Sequence, residues 1–198
     1  MRRSSGSRPP SQPVRVVNVV DGDTVDVVPA RARRGGNVTR VRLWGIDAPE
    51  WDQPLGREAT LALGNLLRDG PGVLRMEVFA YDQYARALGL LYWERDGRGR
   101  SVNRVMVGLG MAYTSRHRQG AWFRKELGFY SEEADARRRN EGIWALPNSL
   151  RVTPWAHRSR VRRPAEVGSP IRFVLVLLAF AMLASVLLST GLCERLAN

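Results

Sequence analysis

Asp21 and Asp23 flank Gly22, and Asp47 and Glu50 stand three residues apart in the run GIDAPE. Asp23 and Asp47 carry the hard carboxylate oxygens that Ca2+, Mg2+ or another divalent ion prefers. Asp21 is a further ligand, an outer partner of that ligand set, or the fastener of a turn. Glu50 is close enough to Asp47 to hold a water as general base. Arg42 has Val41 and Leu43 as neighbours, which face the opposite side of an extended segment and leave Arg42 to point into a groove. Arg86 follows Tyr84 and Ala85. Two guanidiniums suit a phosphate, whose oxygens they clamp and whose growing negative charge they offset. One metal ion, one base and two arginines are the parts needed for water to attack a phosphodiester in line. Each residue alone has a plainer role. DGD is a common turn, GIDAPE is a loop with solvated acids, and Arg86 is one arginine among many. The argument rests on the set.

The segments around these residues must position them. VRVVNVV at 14 to 20 is rich in β-branched valine and reads as a strand. Asp21-Gly22-Asp23 is a turn, and Thr24 to Val28 is the partner strand. Thr39 to Ile46 alternates as a third strand. Val73 to Tyr81 and Ala87 to Trp93 supply a fourth and a fifth. Pro54 to Arg68 spaces its leucines for an amphipathic helix with proline near the start. Ser101 to Leu109 reads as a short helix with a serine cap, and Trp122 to Asn140 as a third, charge-dense one. Five short strands with three helices predict an α+β domain built on a small closed β-barrel of the oligonucleotide-binding type. No internal repeat, phosphate-cradling P-loop or dinucleotide fingerprint is present.

The 198 residues carry 31 Lys+Arg against 19 Asp+Glu, a net charge of +12. Lys125 is the single lysine, so the basic side chains are arginines almost throughout. Arginine is the better residue for bidentate contact with phosphate, and the balance points to a polyanion: nucleic acid or an anionic membrane. One cysteine, Cys193, excludes an internal disulfide framework and a multi-cysteine zinc site. His117 and His157 lack metal-ligand spacing.

The two ends differ from the middle. Residues 1–13 form a polar, basic lead-in expected to be flexible. Phe173 to Leu192 holds 20 residues without a charge, long enough for a helix of about 30 Å, the hydrocarbon thickness of a bilayer. A single-pass transmembrane helix is expected over 172–193, with a basic linker at 147–171, a short tail at 194–198 and the folded domain at 14–146. Arg158, Arg160, Arg162, Arg163 and Arg172 precede the apolar run and Arg195 alone follows it. The positive-inside rule then leaves the domain cytoplasmic in a tail-anchored topology.

The sequence as a whole resembles the staphylococcal nuclease (thermonuclease) family. The resemblance is carried by VVDGDTVDV at 19 to 27, RVRLWGIDAPE at 40 to 50, YDQYARALGLLY at 81 to 92, SVNRVMVGLGMAY at 101 to 113 and GIW at 142 to 144, in the family's order and spacing. It implies a five-stranded barrel with three helices and a Ca2+-dependent endonuclease acting on DNA and RNA. By motif position it implies Asp23 and Asp47 as calcium carboxylates with Asp21 nearby, Arg42 and Arg86 on the scissile phosphate, Glu50 on the attacking water, and Tyr84 against nucleotide. Against the family pattern, Ala48 replaces a threonine, Gln83 a lysine and Ala85 a glycine, and the stretch TSRHRQGAWFR at 114 to 124 departs most. Loss of the glycine is expected to stiffen the turn that aims Arg86.

Two other functions are compatible with a basic barrel. One is a non-catalytic nucleic-acid-binding module, which would have no need of Glu50. The other is a membrane-surface element whose arginines contact lipid headgroups.

Overall fold

The structure, a computed structural model, describes residues 9–33, 36–95, 98–115 and 128–162. Eight strands and four helices follow in chain order among them: β1 (Ser11–Asp21), β2 (Thr24–Pro29), β3 (Thr39–Leu43), β4 (Ile46–Asp47), α1 (Gly56–Asp69), β5 (Val73–Tyr81), β6 (Ala87–Arg95), β7 (Arg98–Ser101), α2 (Val102–Gly108), β8 (Tyr113–Thr114), α3 (Phe129–Arg138) and α4 (Pro154–Arg162). Single 3-10 turns cover Gly142–Ala145 and Asn148–Leu150.

The expected five-stranded barrel is present. β3, β2, β1, β5 and β6 pair in that order, and β3 pairs again with β6, in parallel, to close the ring. Alternation along the strands sends Val25, Val27, Val41, Leu43, Leu74, Met76 and Leu91 inward, where all are buried. Helix α1 closes one side through Ala59, Leu63 and Leu67, four residues apart on one stripe. Helix α2 contributes Val102, Met106 and Val107 to the same core. Its N-terminus is capped by Ser101, whose hydroxyl accepts from the Arg104 amide at 3.3 Å.

Four local differences from the sequence expectations have physical reasons. Ser11 to Pro13, expected in the flexible lead-in, pair with Arg75 to Glu77 and thereby join β1 to β5. Polar side chains do not prevent this, because the ladder uses backbone groups; even Pro13, with no N–H, accepts from Ala30 at 3.0 Å. The expected third strand breaks after Leu43, because Gly45 takes φ +80° with the Phe129 ring packed against it. The chain resumes as β4, which pairs with β8. Beyond Arg95 the chain returns as an added edge strand, β7, beside β6. Within the stretch expected to be linker, Pro154–Arg162 is helical.

The compact barrel unit runs through His157, and a second unit begins at Arg158. The apolar run 173–192, read as a membrane span, lies outside the described residues. Among the described residues no helix is long and apolar enough to cross a membrane.

One buried side chain ties three elements together. Asn103 on α2 has no exposure. Its amide donates to the carbonyls of Trp44 at 2.9 Å and Gly89 at 3.2 Å, and its oxygen accepts from the Leu91 amide at 3.2 Å. Replacing it leaves those backbone groups in a dry core. Asn103→Ala is expected to destabilise the fold by about 2–4 kcal/mol, measured by denaturant unfolding.

Candidate active site

The β1–β2 hairpin supplies the first carboxylate. The Asp21 carboxylate accepts from the Asp23 amide at 3.0 Å, an Asx turn that shapes the corner. The Asp21 carboxylate thus shapes the turn, one of the roles open to it. Asp23 then points into the barrel wall with only 4% of its surface exposed. One of its oxygens accepts from the Thr24 hydroxyl at 3.1 Å and the other from the Ala48 amide at 2.7 Å.

The register of β2 on β3 sets Thr24 opposite Arg42, so Arg42 emerges beside Asp23. Its guanidinium contacts the Asp23 carboxylate with one nitrogen and meets Asp47 Oδ1 at 2.6 Å with another. Asp47 is also 4% exposed and reaches this point because the Gly45 turn swings β4 back past β3. Asp23, some twenty residues before the other two, is therefore brought into direct contact with Arg42, which also meets Asp47.

Whether these residues suit a divalent cation turns on that bridge. Two hard carboxylates from separate elements converge on one positive group, so the gap between them is built for positive charge. Donor type and charge fit. Among the described residues no group of three or more acidic, histidine or cysteine side chains could hold a metal ion by itself, so an ion bound here would need further ligands from water or substrate.

Glu50 sits on the loop between β4 and α1. Its amide donates to Gln53 Oε1 and its carbonyl accepts from the Gln53 amide, both at 2.9 Å. Gly56 opens α1 directly against that carbonyl, where a Cβ would collide with it.

Arg86 stands one residue before β6. Leu88 lies opposite Arg42 in the β3–β6 ladder, and parity puts Arg86 on the same side as Leu88 and Arg42. Arg86 does not join the cluster. Its Nε donates to Asp82 at 2.7 Å, and its guanidinium lies 5.5 Å from the centre of the exposed Tyr84 ring. Asp82 also accepts from the amides of Tyr84 at 2.9 Å and Arg86 at 3.0 Å, closing the β5–β6 turn. Ala85 is held at φ +58°, a left-handed conformation that glycine adopts more easily. The expected stiff turn thus carries backbone strain, offset by the contacts of Asp82.

Four neighbours of these residues were not singled out from sequence. Asp82 holds Arg86, and its position four residues earlier was the available signal. Gln53 holds Glu50 at a spacing of three. Trp51, next to Glu50, is exposed and carries Arg57 over its ring at 4.9 Å. Tyr113 forms the wall opposite Asp47. It is buried edge-on to Trp144 and Trp155, with centroids at 5.3 and 5.8 Å, and burial pushes its hydroxyl up to about 12.

Three carboxylates among the described residues ionise below their ordinary range: Asp26, Asp82 and the exposed Glu141, which Arg139 holds down. Asp26 is held down by its bidentate partner Arg40, at 2.8 and 3.0 Å, against the opposing effect of burial. At Asp82 burial acts upward, but Arg86 and the two amides together outweigh it. Such groups stabilise the fold above their unfolded pKa, and the contribution is lost as pH falls through the lower folded values. Thermal unfolding should therefore show stability declining below about pH 4. Asp26→Asn and Asp82→Asn should each flatten that acid limb.

Comparison with known proteins places the chain. The family described as "Staphylococcal nuclease homologue" matches residues 40–146, more than half of the sequence. A micrococcal nuclease of Shigella flexneri is 34% identical over 151 residues, covering 73% of this chain and 80% of that one. Protein ParB of Escherichia coli is 33% identical over 157 residues, covering 75% and 81%. An uncharacterized endonuclease of Escherichia coli is 32% identical over 144 residues, covering 73% and 84%. With the closed barrel and the matched residues through both arginines, Asp47 and Glu50, the chain belongs to the staphylococcal nuclease homologues and is a nuclease of the hydrolase class.

Proposed function

We propose that this chain is an endonuclease hydrolysing phosphodiester bonds of DNA, RNA or both, with Ca2+, or alternatively Mg2+ or another divalent ion, held by Asp23 and Asp47. The observation that carries this reading is the convergence of two buried carboxylates from separate elements on the guanidinium of Arg42. A divalent ion at such a site polarises the phosphate and lowers the charge that water must attack. Arg42 would present its guanidinium, a planar fork of donors, to a phosphate oxygen. Arg86 approaches from the same side of the ladder and exchanges Asp82 for the phosphate. Glu50, its backbone fixed by Gln53, takes the proton of the attacking water. The exposed rings of Tyr84 and Trp51 offer stacking surfaces for bases, and the charge of +12 draws the polyanion in.

The test is cleavage of single-stranded DNA, duplex DNA and RNA by the purified protein while Ca2+ and Mg2+ are titrated. Cutting should vanish with chelator. Glu50→Gln should lower kcat by about 10²–10⁴-fold, and Arg86→Ala by about 10²–10³-fold. Binding without cutting under every cation would replace this reading with the binding module.

The same protein is proposed to be membrane-anchored through 173–192, with the nuclease domain on the cytoplasmic, arginine-rich side. The absence of charge over 20 residues supports this. In fractionated cells the chain should stay in the membrane pellet after an alkaline wash. Deleting 173–192 should move it to the supernatant, and retention of the shortened chain in the pellet would count against the anchor.

A further inference from the structure

The loop that carries Glu50 is tied to a segment about one hundred residues further along the chain. Gln53 is buried, and its side chain faces two ways: the oxygen takes the Glu50 amide at 2.9 Å, and the nitrogen donates to the carbonyl of Val152 at 2.8 Å. Asp52 meets the ring of His157 at 3.0 Å through both carboxylate oxygens. Leu55 and Trp155 pack against one buried cluster of Tyr113, Ala136, Ile143 and Trp144. Leu55 also stands at φ +67°, a conformation unfavourable for a leucine, at the start of α1. A strained residue persists only where its surroundings over-determine it. Here the surroundings are the cluster that the far segment helps to build.

We infer that Val152–His157 is a positioning latch for Glu50: the segment does no chemistry itself but fixes the loop from which the base reaches its water. The inference rests on the hydrolytic reading for its catalytic consequence and on contacts alone for the latch. Among the described residues, the backbone of Glu50 is also tied locally, through Gln53 and Gly56. Gln53 joins the local route to the distant one, because a single side chain serves both. With the latch released, Glu50 keeps its carboxylate but loses its aim, and a misplacement of about 1 Å can lower turnover about 100-fold.

The test uses the full chain in detergent. It compares the parent with Gln53→Met, which keeps the side-chain length and removes both polar contacts, and with the double variant Trp155→Ala/His157→Ala. The expected result is a fall in kcat of about 10- to 100-fold with KM within about twofold. In a Glu50→Gln background the same changes should have no further effect. An equal loss in that background, or a rise in KM with kcat unchanged, would overturn the positioning role. Amide hydrogen exchange reads the latch without activity. Trp155→Ala/His157→Ala should speed exchange at Glu50 and Gln53 at least tenfold, while barrel amides such as Leu43 keep their protection. Unchanged exchange at Glu50 and Gln53 would overturn the latch whether or not the parent cuts. A parent that cuts nothing with either cation, yet shows this exchange pattern, would keep the latch and remove only the hydrolytic reading.

Discussion

Two carboxylates lie in the wall of a small barrel, nearly closed off from water, and a single guanidinium stands between them. Taking three charges out of water is tolerable only if they meet one another with good geometry and their remaining lone pairs find donors. The local structure meets both demands. The Thr24 hydroxyl and the Ala48 amide serve Asp23, the β2–β3 register delivers Arg42, and the glycine turn after β3 delivers Asp47. Removing one member of such a set leaves an uncompensated buried charge, a cost of about 3–5 kcal/mol. Much of the barrel's detail follows from the need to keep these three groups together.

The second arginine is prepared in the same manner on the next hairpin. Asp82 shapes the β5–β6 turn through two amides and holds the Arg86 side chain with its other oxygen. Both arginines are thus oriented by acids in advance. Under the proposed reading, a phosphate would compete with carboxylates for guanidiniums already in place, so less side-chain freedom would be lost on binding than two exposed arginines would lose. The strained Ala85 fits the same picture. Strain at that turn is sustained by Asp82, and the turn in exchange sets the direction of Arg86.

The fold separates stability from chemistry. The apolar interior, centred on the valines and leucines of five strands and the inner stripes of α1 and α2, has no part in the reaction. The candidate site residues lie where that interior meets short irregular segments: the DGD turn, the β4 loop and the β5–β6 turn. A second aromatic cluster, with Tyr113 and Trp144 at its centre, backs β4 from the other side. A rigid interior with functional groups on short connections lets a small barrel hold charges that a surface site would leave mobile.

The alternation of valines, the DGD corner, the leucine spacing of α1 and the serine before α2 are local signals, and local signals determined the strands, the turn and the helices. The candidate site residues could be named for the same reason, because Asp23, Arg42, Asp47, Glu50 and Arg86 lie in short motifs of recognisable order. Tertiary structure alone decided which of them touch. Asp21 accepts a hydrogen bond within its turn, Arg42 bridges the two buried carboxylates, and Arg86 rests on Asp82 rather than in the cluster. Ser11 to Pro13 looked like a polar lead-in, yet their backbone completes the barrel. Gln53 is an unremarkable glutamine until the chain brings Val152 within hydrogen-bonding distance, 99 residues away. Periodicity and propensity act over a few residues, whereas a buried charge or a bridging amide is defined by partners that only chain closure brings together.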